Sequence, residues 1–97
     1  MPDTTTAPHP LCYNQDMHYL YLIRSVVTRS FYIGQTSDLK RRFAEHNSGG
    51  NTSTKSDCPW ELIYYEAYLD KRLALVREKQ LKRFAKSYSM LKKRLEL

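Results

Sequence analysis

The feature that most restricts the fold is a pair of strand-like segments separated by a very short break. Residues 18–27 read HYLYLIRSVV and residues 31–34 read FYIG, with a polar tripeptide between them. Aromatic and β-branched residues favour strands, and so short a connection joins two strands as an antiparallel hairpin. Gly34 ends the second segment, and its missing Cβ allows close backbone approach there. The chain is therefore expected to begin with a sheet.

The residues that follow the hairpin predict a helix. Asp38 is a good N-cap, because its carboxylate can accept hydrogen bonds from the first free N–H groups of a helix. Leu39 and Phe43 share one face of a helix that runs from Leu39 to about Asn47. The glycines at 49 and 50 end this helix. The polar residues 48–57 (SGGNTSTKSD) predict a mobile loop.

A third strand and two more helical segments complete the predicted order. Residues 60–68 (WELIYYEAY) favour a strand, and the apolar run at 62–65 favours a central position in the sheet. Asp70 is expected to cap a helix over residues 71–86, and a last helical segment covers residues 87–97. The predicted fold class is α/β: a three-stranded antiparallel sheet flanked by helices in the order β-β-α-β-α-α.

The helix predicted over residues 71–86 has two unlike faces. One sector is mainly apolar and is expected to pack on the sheet; it contains Leu73, Ala74, Arg77, Leu81, Phe84 and Ala85. The other side is basic, and its residues include Lys79, Lys82, Arg83 and Lys86. Glu78 lies at the edge of the apolar sector, where its carboxylate is expected to face a site beside the sheet rather than open solvent.

The charge of the chain indicates a polyanionic partner. Among its 97 residues, 16 Lys and Arg against 10 Asp and Glu give a net charge of +6. Such a balance favours nucleic acid, although a protein can also be basic without binding it. Cys12 and Cys58 have no metal-ligand spacing, so neither a zinc site nor a disulfide framework is expected.

Length and segment composition predict one small domain over residues 17–97. Residues 1–16 contain several prolines and no apolar periodicity, which predicts a disordered leader. We expect either that Met17 is the true start or that folding does not require this leader. No apolar run approaches the length of a membrane span, and the N-terminus lacks the features of a signal peptide. The protein is therefore expected in the cytoplasm, away from membranes and as a monomer by default.

Two short motifs on the predicted hairpin resemble those of the GIY-YIG nuclease superfamily. Residues 32–34 match its second motif letter for letter as Tyr-Ile-Gly, and residues 19–21 (YLY) stand where the family has Gly-Ile-Tyr. The resemblance extends to about Leu91, and the small stand-alone members are the most similar. It implies a metal-dependent endonuclease that hydrolyses phosphodiester bonds in DNA, with DNA repair or recombination as its setting.

The resemblance also implies roles for five residues. Tyr21 would be the general base or position the water, assisted by Tyr32, although a tyrosine with its ordinary pKa of about 10 is a poor base unless its environment lowers that value. Arg42 would clamp the phosphate, and His46, one helical turn later, would assist proton transfer. Glu78 would hold one divalent cation, Mg²⁺ or Mn²⁺, together with waters and substrate phosphates.

The same residues also have simpler interpretations. Strand tyrosines commonly serve only as packing residues, and Glu78 could form an i,i+4 ion pair with Lys82. Arg41 is the alternative to Arg42 as the arginine that clamps the phosphate. Contacts with the DNA backbone are predicted for Arg41, Lys79, Lys82, Arg83 and Lys86. The alternative functions are a non-catalytic nucleic-acid-binding module, whose tyrosines stack on bases, and a protein-interaction adaptor.

Overall fold

A computed structural model describes residues 17–97; the predicted leader, residues 1–16, lies outside the described residues. The elements follow the predicted order. The strands are β1 His18–Ser25, β2 Phe31–Thr36 and β3 Trp60–Tyr68. The helices are α1 Leu39–Ser48, α2 Lys71–Arg83 and α3 Ala85–Arg94. A short 3-10 helix, Lys55–Asp57, lies in the connection between α1 and β3.

The three strands form an antiparallel sheet with β1 in the centre, so the prediction that the third strand is central is wrong. β1 holds this place because its consecutive residues Leu20 to Ile23 are buried on both faces. The apolar run in β3 contains a β-bulge and does not mark a central strand. The pairing passes from Leu22–Tyr64 to Ile23–Leu62, so Ile63 is an extra, bulged residue. Leu62 and Tyr65 are 37% and 51% exposed, as suits an edge strand.

Helices cover both faces of the sheet, which confirms the predicted fold class. Alternate residues of β1 point to opposite sides. On one side Leu20 and Leu22 pack with Ile33, Leu81 of α2 and Leu91 of α3. On the other side Tyr21, Ile23 and Trp60 form a second cluster, against which Leu39 and Phe43 of α1 pack. The face covered by α1 is the one that carries the candidate site.

The predicted capping residues begin α1 and α2, and a predicted glycine ends α1. The Asp38 carboxylate accepts from the Arg41 N–H at 3.1 Å, and the Asp70 carboxylate accepts from the Arg72 N–H at 2.8 Å. Gly49 ends α1 in the left-handed conformation, with φ 81°. Because a Cβ is disfavoured at positive φ, glycine suits this position.

The second helix is shorter than predicted and buries fewer residues. It ends at Arg83, because Phe84 is extended (φ −110°, ψ 106°) and α3 begins at Ala85. Phe84 and Leu73 are 53% and 50% exposed, so the prediction that both pack on the sheet is wrong. Of the predicted apolar sector, Ala74 and Leu81 are buried. The break turns the chain so that α3 supplies the rest of the packing through Leu91.

Arg77 faces the sheet through an ion pair rather than apolar packing. Its Nε donates to both carboxylate oxygens of Glu66, at 3.0 and 3.1 Å. The hydroxyls of Tyr64 and Tyr68 donate to the same carboxylate at 2.7 and 2.5 Å. Burial raises the pKa of Glu66, but these hydrogen bonds outweigh burial and the net change is downward. The network ties α2 to β3.

Candidate active site

Tyr21 and Tyr32 lie on neighbouring strands and on the same face of the sheet. Tyr21 pairs with Gly34 across the strands, Ile23 pairs with Tyr32, and the two tyrosine rings are 6.4 Å apart. A Cβ at Gly34 would lie 2.5 Å from Cζ of Tyr21. Glycine is therefore required at 34 because the phenol of Tyr21 lies directly over the backbone of β2.

His46 reaches this pair from α1. Its Nε2 lies 2.7 Å from the Tyr21 hydroxyl oxygen, and its ring stands edge-on to Tyr32 at 5.1 Å. Leu39 and Phe43 of the same helix pack on the cluster around Tyr21, which directs His46 inward. His46 is fully buried and Tyr21 is 1% exposed. The two side chains thus form one buried hydrogen-bonded unit.

Thr54 holds the far side of the imidazole, a contact that sequence reasoning missed. Its Oγ1 lies 2.7 Å from His46 Nδ1, and Thr54 is 1% exposed. The Trp60 indole N–H donates to the Thr54 carbonyl at 3.0 Å, which fixes the loop. The prediction of a mobile loop over residues 48–57 is therefore wrong for this part of it. A threonine in a stretch of polar residues gives no sequence signal of burial.

The hydrogen bonds around His46 assign its tautomer. The Thr54 hydroxyl donates to the Asn51 carbonyl at 3.4 Å, so Thr54 Oγ1 accepts from His46 and the ring proton lies on Nδ1. Nε2 is then unprotonated and accepts from the Tyr21 hydroxyl. The result is a chain of donors that runs from Tyr21 through His46 to the loop.

Burial decides the protonation states of the pair. It raises the pKa of Tyr21 well above the usual value, and Tyr32 adds to the rise, whereas the charge of Arg42 opposes it. Burial also lowers the pKa of His46 from 6.5, and Arg42 lowers it further. The lowered tyrosine pKa that a simple tyrosine base needs is not found, because desolvation outweighs the arginine. At neutral pH the pair is a protonated phenol and a neutral imidazole.

Arg42 lies close enough to the pair for its charge to act on both members. Its Nε is 3.4 Å from Glu45 Oε1, but the atom is buried and lacks a hydrogen-bond partner. Arg41 is different: its side chain is 66% exposed, and its Nε lies 4.0 Å from Asp38 and 3.8 Å from Glu45. Arg42 is thus the arginine that the fold brings to the tyrosines.

Glu78 lies on α2, and its negative charge contributes to the raised pKa of Tyr21. Its Oε2 accepts from Lys82 Nζ at 3.1 Å, so the i,i+4 pair that the sequence allowed is present. Residues 17–97 contain no group of three or more His, Cys, Asp or Glu that could hold a metal ion. A single carboxylate, 22% exposed, suits a hydrated Mg²⁺ shared with a phosphate rather than an all-protein site.

The basic residues predicted to contact DNA lie on several elements. Lys79 and Arg83 are exposed on α2, whereas Lys86 follows the break and belongs to α3. Lys82 lies beside the site itself, with its Nζ 5.7 Å from the centre of the Tyr32 ring. They therefore do not form the single helical face that the periodicity predicted.

Comparison with known proteins defines the class. The family model described as the GIY-YIG catalytic domain matches residues 17–93. Because the match covers most of the chain, the protein belongs to the GIY-YIG family, and its fold is of the nuclease type. Within residues 17–97, no helix is long and apolar enough to cross a membrane.

The relatives are small UPF0213 proteins. One from Haloquadratum walsbyi is 35% identical over 72 residues, which are 73% of this chain and 80% of the relative. Another from Staphylococcus saprophyticus is 36% identical over 72 residues, 73% of this chain and 87% of the relative. The solution NMR structure of a UPF0213 protein from Bacillus halodurans is 29% identical, with a TM-score of 0.47, and the match covers 77% of this chain and 82% of that one.

Proposed function

We propose that the protein is a metal-dependent endonuclease that hydrolyses phosphodiester bonds in DNA. The observation that carries this proposal is the buried 2.7 Å hydrogen bond between Tyr21 and His46, beside Tyr32 and within the fields of Arg42 and Glu78. A phenol that can pass its proton to a neutral imidazole can accept another from water. We place this activity in the cytoplasm, on DNA repair or recombination intermediates.

The pair would act as a relay that needs no phenolate in the resting protein. A water loses a proton to Tyr21 Oη as the phenol proton moves to His46 Nε2. The resulting hydroxide attacks phosphorus, the bond to the leaving oxygen breaks, and that oxygen takes a proton from solvent. Nδ1–H of the imidazolium stays hydrogen-bonded to Thr54, which partly offsets the burial and the Arg42 charge that lower the pKa of His46. The imidazolium later returns its proton to solvent, which restores the neutral pair. General acid–base steps of this kind contribute about 10²–10⁴-fold to a rate.

The remaining residues would bind and neutralise the phosphate. Arg42 supplies a planar set of N–H donors, one of them without a partner in this structure. Glu78 would hold a divalent cation, which when bound stabilises negative charge on the phosphate oxygens. Its present partner, Lys82, would then be released to the phosphate. Tyr32, which is half-buried, would orient the water beside Tyr21.

One observation favours a second function, a nucleic-acid-binding module without cleavage. Tyr21 is 1% exposed, so its hydroxyl does not meet solvent, and the relay requires the bound substrate to open the site. In a binding module the Tyr21–His46 bond would serve only to join α1 to the sheet. The basic surface and the 51% exposed Tyr65 on the same face would then bind strands and bases.

The deciding experiment offers the full chain a panel of single-stranded, duplex, flapped and branched DNAs, with and without Mg²⁺ or Mn²⁺. We expect metal-dependent cleavage of at least one, and a loss of about 10²–10⁴-fold in Tyr21→Phe. Tyr65→Phe is the matched control, since it removes a hydroxyl from the same sheet face and should cleave normally. DNA binding without any cleavage would favour the binding module, and equal rates for the two variants would remove Tyr21 from the mechanism.

A further inference from the structure

A polar cavity opens at the end of the sheet where β1 begins and β2 ends. Its volume is about 230 Å³, and its wall includes His18, Arg41, Arg42, Lys71 and the polar residues 35–37. Neither tyrosine of the candidate site lines it, nor does His46 or Glu78. Three of its side chains are permanent cations; Glu45 lies 3.8 and 3.4 Å from the two arginines, but no carboxylate belongs to the wall and Lys71, the third cation, adds a further positive charge. Such a cavity favours an anion.

A second, independent observation points to the same place. Among residues 17–97, two buried side-chain nitrogen atoms lack a hydrogen-bond partner, His18 Nδ1 and Arg42 Nε. Both residues line this cavity. Buried polar atoms in proteins are nearly always hydrogen-bonded to protein, ordered water or a ligand, so two without a protein partner beside one cavity indicate a binding site for polar atoms there. Acceptor oxygen atoms in the cavity would pair with the Arg42 Nε–H and, when its proton lies on Nδ1, with the His18 ring.

We propose that this cavity is a phosphate-binding subsite, distinct from the position of the scissile phosphate and joined to it through Arg42. A phosphate group offers several acceptor oxygens and a full negative charge, which suits lysine and arginine donors together. That this phosphate belongs to a nucleic-acid substrate rests on the proposed function. The subsite would hold the strand on the side of Arg42 away from Tyr21 and so fix which bond reaches the relay.

The phosphate can come from two parts of a nucleic acid. If the cavity binds an internal phosphodiester, it holds continuous strands. If it binds a terminal phosphate, which carries additional charge, it recognises strand ends. Oligonucleotides that differ only in a 5′- or 3′-phosphate separate the two cases.

The first experiment uses inorganic phosphate and the full chain. NMR titration should give saturable shifts of the His18 imidazole and Arg42 Nε–H resonances. Lys71→Ala should weaken this binding about tenfold, the effect of losing one charge-assisted contact. Lys40→Ala is the matched control, because it removes an exposed lysine beside Arg41 that does not line the cavity, and it should change the affinity less than about twofold.

The second experiment measures metal-free affinity for oligonucleotides with and without a terminal phosphate. Tighter binding of the phosphorylated end, lost in Lys71→Ala but kept in Lys40→Ala, supports the terminal source. Equal binding of both, weakened more by Lys71→Ala than by Lys40→Ala, supports the internal source. Equal effects of the two variants, or scattered phosphate shifts that do not saturate, would overturn the subsite. Saturable phosphate binding by a protein that cleaves no DNA would keep the subsite and refute only the nuclease proposal.

Discussion

Thr54→Val tests the network that holds His46 in place. Valine keeps the shape of threonine but lacks the hydroxyl that lies 2.7 Å from His46 Nδ1. Both residues are almost completely buried, so water cannot replace the lost partner. Leaving a buried donor unpaired costs about 1–3 kcal/mol. In a domain of this size each 1 kcal/mol lowers the melting temperature by about 4–8 °C, so we expect a drop of about 4–24 °C.

Thermal unfolding followed by circular dichroism measures this change, and two variants serve as controls. Thr54→Ser retains the hydroxyl and should recover part of the loss. Thr52→Val makes the same substitution at an exposed position of the same loop and should change the melting temperature by less than about 4 °C. The ring-carbon chemical shifts of His46 give a second readout, because the Nδ1–H tautomer should be less populated in Thr54→Val.

If Thr54→Val melts like Thr52→Val, the hydroxyl does not support the imidazole. If the wild-type protein shows the Nε2–H tautomer of His46 instead, Nδ1 is not the donor to Thr54. That result would refute the direction of the proposed proton relay.

Three further variants test other parts of the structure. Gly34→Ala places a Cβ against the Tyr21 ring, so the free energy of unfolding should fall by about 1–3 kcal/mol, as in other overpacked cores, and the melting temperature should fall with it. An unchanged melting temperature would show that the phenol does not lie over Gly34. Arg77→Leu should destabilise the protein at neutral pH. Hydrogen bonds lower the folded-state pKa of Glu66 from 4.5, so the stability that this pair contributes is present above that value and is lost as pH falls through the lowered pKa. A difference in the free energy of unfolding between wild type and Arg77→Leu that stays the same at all pH values would contradict this. Glu78→Ala should abolish Mg²⁺-dependent cleavage, leave metal-free DNA affinity equal or higher and change stability by at most about 1 kcal/mol; wild-type cleavage would remove the metal site.

Local sequence signals were sufficient for the elements and for most of the candidate site. Asp38 and Asp70 cap the helices as predicted, because a cap depends on a side chain and the next few N–H groups. Tyr21 and Tyr32 lie on adjacent strands because a short hairpin fixes which residues become neighbours. His46 follows from the spacing of one helix, whose apolar residues face the sheet.

Helix periodicity alone gave the wrong packing for α2. It predicted that Leu73 and Phe84 would be buried, yet both are about half exposed. The extended backbone at Phe84 ends α2 early, and α3 folds back so that Leu91, rather than Phe84, packs in the core beside Leu81. Periodicity describes one continuous helix, and it carries no information on where tertiary packing breaks that helix.

The amino-acid sequence by itself determined the strand and helix content, the helix caps, the two motifs of the hairpin and the identity of the family. Tertiary structure decided that β1 is central, that Thr54 returns to His46, and that Tyr21 is buried deeply enough to raise its pKa. It also brought His18 and Lys71 together around one cavity. The physical reason is range: caps, turns and periodicity act between near neighbours in the chain, whereas burial, strand order and electrostatic environment depend on residues that only the folded chain brings together.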